Sequence, residues 1–119
     1  MKIPGYTLHG DYYLADKVVL NKNWKEACEM KEKIVLPNGK TVIAHTLSKK
    51  ELETIPREER KIDENGHCWY WTSTPTGDSA WLVSSSGVFG RTYINISCGN
   101  GGVRLGFHKS EIKQILNIE

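Results

Sequence analysis

The sequence predicts an α+β fold in which two helices pack on a small antiparallel sheet, and three observations lead there. Two helix starts carry capping signals in the first half of the chain. Short apolar runs divided by Gly, Pro and Asn fill the last third. Charge is also segregated: residues 17–61 are dense in Lys, Arg and Glu, whereas residues 65–107 carry only Asp78, Arg91 and Arg104. A solvated helical half followed by a sheet core accounts for that division; a basic surface for an acidic partner is the alternative.

Length and composition set the frame. At 119 residues the chain has room for one domain, taken as residues 1–119, with one core. A hydrophobic share of 39% and a charged share of 25% are ordinary for a globular protein, so disorder is not expected. No segment approaches the roughly 20 apolar residues of a membrane helix, so no membrane association is expected. Met1 to Tyr6 lacks an apolar stretch, which predicts a cytoplasmic location, in a host cell if the chain is phage-encoded. Cys28, Cys68 and Cys98 make an odd count, against a disulfide framework. Asn95-Ile96-Ser97 matches a glycosylation sequon, read as chance without a secretory signal. A net charge of +2 is too small to imply direct nucleic-acid binding.

The elements follow in order. Tyr6, Leu8, Tyr12, Tyr13, Leu14 and Val18-Val19-Leu20, broken at Gly10-Asp11 and Asp16-Lys17, fit two short strands joined by a turn. Asn23 can cap a helix with Glu26 reaching back to it, and Trp24, Ala27 and Cys28 form a buried stripe at i, i+3, i+4. That helix is expected to end near Lys33. Residues 34–36 and 41–44 flank Pro37-Asn38-Gly39-Lys40, a hairpin signal. Ser48 and Glu51 make a second capping box, with Leu47 able to staple against Leu52. Pro56 should end or bend this helix, leaving a charged loop over residues 57–66. Strands are expected at residues 68–74, 80–85, 91–98 and 103–108, and Ser110 as the cap of a short closing helix over 111–118.

Five segments resemble a known family. Tyr70-Trp71-Thr72-Ser73-Thr74-Pro75 is similar to the "YWSST" strand of the Lcl C-terminal domain family. Ala80-Trp81-Leu82-Val83 with Gly87 resembles its "A-x-x-V…G" hairpin, and Gly102-Val103-Arg104 its closing "V-R" strand. Trp24 to Cys28 and Leu47 to Leu52 resemble its two helix starts, although Ser48 stands where the family has Pro and Leu105 where it has Pro after Arg. The resemblance spans about residues 24–107. It implies a C-type-lectin-like domain, a scaffold shared with formylglycine-generating enzymes and hypervariable phage binding proteins. Fold alone does not carry function.

Function therefore rests on the chemistry of particular residues. The lectin calcium motifs (Glu-Pro-Asn or Gln-Pro-Asp, then Trp-Asn-Asp) do not occur, and the sheet region offers only Asp78 as a carboxylate. Oxidase chemistry of the formylglycine type needs paired late cysteines, and Cys98 is alone there. No nucleophile–His–acid order or phosphate-cradling glycine loop is visible, so the chain is not expected to be an enzyme. A structural zinc is the sharpest chemical option: if strand 68–74 paired antiparallel with strand 103–108, His67 or Cys68 would approach His108, and Cys98 or His45 would have to supply the remaining ligands. Against it stands the ordinary fate of Cys as a small buried residue and of His as a surface or capping group.

Four tryptophans are many for this length. Trp71 and Trp24 are expected in the core; Trp81 belongs either to the core or to the surface, where an exposed Trp81 beside Phe89 and Tyr93 would make a protein-binding anchor. With Arg91 and Asn100, these define a contact surface on loops 74–80, 88–92 and 98–102. The expected function is a non-enzymatic protein-binding module. The alternatives are a small phage or mobile-element inhibitor of a host defence machine, such as an anti-CRISPR protein, and a glycan-binding or phage structural component. The oligomeric state is not legible.

Overall fold

The computed structural model describes residues 3–37, 39–61, 69–76, 79–84, 86–90 and 101–116. The chain begins with three short strands, β1 (Tyr6–His9), β2 (Tyr12–Ala15) and β3 (Val19–Lys22), followed by helix α1 (Trp24–Glu29). The hairpin β4 (Lys31–Val35) and β5 (Thr41–Thr46) leads to helices α2 (Lys49–Glu53) and α3 (Arg57–Arg60). Then come β6 (Tyr70–Thr76), β7 (Ser79–Val83), β8 (Phe89–Gly90), β9 (Gly101–Val103), β10 (Leu105–His108) and helix α4 (Lys109–Leu116).

The α+β expectation holds, but one small sheet with two helices becomes two five-stranded sheets and four short helices among the described residues. The first sheet is antiparallel in the order β1-β2-β10-β5-β4. The second runs β3-β9-β6-β7-β8, and its β6–β9 pair is parallel. The expected strand 103–108 is thus two strands in different sheets, divided at Arg104.

Local chemistry explains the element ends. Asn23 and Ser48 both form complete capping boxes, with Glu26 and Glu51, as their spacing predicts. Helix α1 stops at Glu29, short of Lys33, because the next residues continue as a strand whose inner face pairs with β5. The buried Thr46 hydroxyl donates to the Ala27 carbonyl at 2.5 Å, satisfying an acceptor that the short helix leaves open. Helix α2 ends at Glu53, ahead of Pro56, which instead opens the single turn α3 over the first residues of the expected charged loop; residues 62–66 of that loop lie outside the described residues.

Two apolar clusters hold the sheets. One contains Trp71, Phe107, Tyr13, Val103, Leu105 and Ala44. Trp71 is fully buried, its ring Nε1–H donates to the Lys22 carbonyl at 2.9 Å, and Trp69 meets it edge to face. The other contains Leu14, Val18, Tyr70 and Val83 against Leu47, Leu52 and Ile55, so the predicted Leu47–Leu52 staple lies inside a core. Arg104 stands at the β9–β10 junction and is 5% exposed. Its Nε donates to the Ala15 carbonyl at 2.8 Å and its Nη1 to the Arg60 carbonyl at 3.0 Å. A buried cation is tolerable only when hydrogen-bonded, and here its bonds tie β2 to the end of α3. No described helix is long and apolar enough to cross a membrane.

Candidate functional site

The β7–β8 hairpin builds the most distinctive surface. Ser84 N–H donates to the Val88 carbonyl at 2.8 Å and Gly87 N–H to the Ser84 carbonyl at 2.9 Å, which closes the turn. Gly87 has φ +86°, and a Cβ there would run into the Arg57 carbonyl, so the position suits only glycine. Helix α3 clasps this turn: Arg57 Nε donates to the Ser86 carbonyl and Arg60 Nε to the Gly87 carbonyl, each at 3.0 Å.

Register then sets the aromatic pair. Val83 lies opposite Phe89, and Trp81, two residues before Val83, shares its face. Val83 is buried under α2, while Trp81 and Phe89 are half-buried. The Lys49 ammonium, at the start of α2, sits 4.7 Å from the Trp81 ring centre and 5.1 Å from that of Phe89. Arg60 stacks over Phe89 at 4.5 Å. Lys49 also pairs with Glu53 one turn on. Cation–ring contacts of this kind contribute about 0.5–1 kcal/mol each at exposed sites, enough to fix two rings in place without hiding them. Val88, at 44% exposed, stands beside them at the hairpin tip. Of these residues, the two held aromatics and the arginines Arg57 and Arg60 are of types enriched at protein interfaces.

The predicted contact residues thus divide. Trp81 and Phe89 both lie beside the Lys49 ammonium, with Trp81 half-buried rather than exposed. Arg91, Tyr93 and Asn100 lie outside the described residues. Sequence reasoning missed Lys49, Arg57 and Arg60, because nothing in a linear chain reveals that α2 and α3 lie over β7 and β8. Their only local signal was the density of Lys and Arg in this half.

The zinc set divides similarly. His67, Cys68 and Cys98 lie outside the described residues. The pairing that was to bring them to His108 is not formed: β6 runs parallel to β9, and β10 sits between β2 and β5 in the other sheet. His108 instead caps α4. Its Nδ1 accepts from the Ser110 N–H at 3.0 Å and contacts the Ser110 hydroxyl at 2.7 Å, while Glu111 accepts from the His108 N–H at 3.1 Å. His108 thus takes the cap place, its ring accepting from the second helical N–H and Glu111 reaching back to its own N–H, two residues before the Ser110 that the sequence favoured. His45 Nδ1 lies 3.1 Å from the Thr46 carbonyl. Among the described residues no group of three or more His, Cys, Asp or Glu side chains is placed to hold a metal. Burial pushes the half-buried Cys28 thiol up, with Glu29 adding to it, which disfavours the reactive thiolate.

A second concavity, a cleft of about 430 Å³, opens between the sheets, lined by Tyr6, Asp16, Lys17, Val19, Glu32 and Val103 among others. The Tyr6 hydroxyl donates to Glu32 at 2.7 Å. Burial, then the Glu32 hydrogen bond and charge, raise the Tyr6 phenol well above its ordinary range. It is a structural donor at neutral pH rather than a general base.

No family model, curated protein or solved structure matches this chain.

Proposed function

We propose that the chain is a non-enzymatic protein-binding module whose contact surface is the β7–β8 hairpin with its flanking helices α2 and α3. The observation that supports this most is the shared Lys49 ammonium over Trp81 and Phe89, which presents two rings in fixed positions beside exposed Val88. Rigid aromatics lose little conformational entropy on binding, so they make effective anchors. The proposed scaffold is C-type-lectin-like, supported by the five family-like segments between Trp24 and Arg104.

The test is capture from lysate by cross-linking, with wild type and variants of equal thermal stability run side by side. A partner captured by wild type and by Leu20→Ser, on β3 at the edge of the second sheet opposite β8, should be lost with Trp81→Ala and with Val88→Glu. A partner retained by both hairpin variants removes this face from consideration.

A further inference from the structure

The outer edge of β4 has a chemistry of its own. In the first sheet β4 is the terminal strand, paired only with β5 among the described residues. The Leu36 N–H donates to the Lys40 carbonyl at 2.8 Å across the hairpin end, which sets the phase of the ladder. Counting back by twos, Leu36, Ile34 and Glu32 direct their backbone groups at β5. Lys31, Lys33 and Val35 therefore direct theirs away from the sheet, along an open edge. Their side chains share one face with their cross-strand partners His45, Ile43 and Thr41.

That face is unusual for an edge. Val35 is 67% exposed and Ile43 is 43% exposed. Lys31 and Lys33 are exposed and have no anionic partner among the described residues, since Glu32 points to the other face and bonds Tyr6. Lysines alone would serve to repel a neighbouring strand. Lysines next to two uncovered aliphatics instead present a patterned surface: cation, cation, apolar, at every second residue.

We propose that β4 receives an extended acidic segment of a protein partner, added antiparallel as a sixth strand, with the order apolar-x-acid-x-acid set against Val35, Lys33 and Lys31. Backbone bonds from the three outward residues supply affinity, and the two lysines supply the choice of sequence. A second copy of the chain is the wrong occupant. A two-fold pairing centred on Lys33 places Lys33 against Lys33 and leaves Lys31 against Val35, so like charges meet and no acid is supplied. This edge is separate from the β7–β8 face and stands whether or not that face binds.

The test uses the intact protein and a fluorescein-labelled, C-amidated peptide, Thr-Val-Thr-Glu-Thr-Glu-Thr, followed by fluorescence anisotropy. Saturable binding is expected, weakening as salt rises. The Lys31→Glu/Lys33→Glu double variant should lose at least tenfold in affinity and gain the same peptide carrying Lys in place of both Glu. Val35→Pro removes an outward N–H without touching the β4–β5 ladder and should also weaken binding at least tenfold. Trp81→Ala should leave it unchanged. Absence of saturable binding up to millimolar peptide overturns the proposal, as does affinity indifferent to the charge reversal. Concentration-dependent self-association abolished by Val35→Pro would assign the edge to a second copy and overturn it too. Should Val35→Pro fail to fold, by its thermal transition, the charge-swapped pair decides alone.

Discussion

Replacing Arg104 by Met probes how β2 is tied to the end of α3. The guanidinium is almost fully buried, donates to the carbonyls of Ala15 and Arg60, and lies over the Tyr70 ring at 5.7 Å. Each hydrogen bond to a charged group is worth about 1.5–3 kcal/mol. Removing the cation also relieves the cost of burying it, which offsets part of that loss. The expected net destabilisation is about 3 kcal/mol, a large share of the roughly 5–15 kcal/mol that holds a domain together. At this length about 4 °C of Tm accompanies each kcal/mol, so Tm should fall by about 12 °C. The Arg60 carbonyl also accepts the Tyr70 hydroxyl at 2.5 Å, so two donors share one acceptor. Tyr70→Phe and Arg104→Met should therefore couple. The double variant leaves the Arg60 carbonyl with neither donor and should be worse than the sum by about 1 kcal/mol, within the range for residues in one network. Urea unfolding of the four proteins measures this directly. A loss below about 1 kcal/mol for Arg104→Met, or additivity within about 0.5 kcal/mol, would refute the idea that this guanidinium ties β2 to the end of α3.

Gly87→Ala should separate α3 from the hairpin, because its Cβ meets the Arg57 carbonyl and φ is +86°. A cost of about 1–3 kcal/mol is expected, together with a changed near-ultraviolet circular dichroism signal as Arg60 leaves Phe89. His108→Ala should cost about 1 kcal/mol through the lost cap, and His108→Asn should recover most of it; equal losses in the two thermal unfolding curves would show that the cap is not what His108 contributes. Tyr6 should titrate late. Its phenol is held protonated above the ordinary 10.0, so above pH 10 the folded chain binds more protons than the unfolded one. The stabilisation is complete below pH 10 and is lost as pH rises beyond it. Tyr6→Phe should flatten that decline without abolishing it, since burial also raises Tyr70 and Tyr12.

Whatever depends on neighbours within a few residues was legible in the amino-acid order. Asn23 with Glu26, and Ser48 with Glu51, announce two helices because a cap and its reciprocal acid lie three residues apart on any backbone. Pro37-Asn38-Gly39 announces a hairpin because Gly39 takes φ +83° at little steric cost. Trp71 could be assigned to the core from alternation. What lay beyond that reach was decided by the tertiary structure. A hydrophobic run at residues 103–108 looks like one strand until Arg104 finds the Ala15 and Arg60 carbonyls, 89 and 44 residues away in sequence, and splits it between two sheets. His108 reaches the cap of α4 only because β10 leads straight into that helix. Lys49 and Arg60 acquire meaning only when α2 and α3 fold over β7 and β8. Local order carries local preference, but pairing partners are chosen by which buried faces and unsatisfied polar groups complement one another across the whole chain.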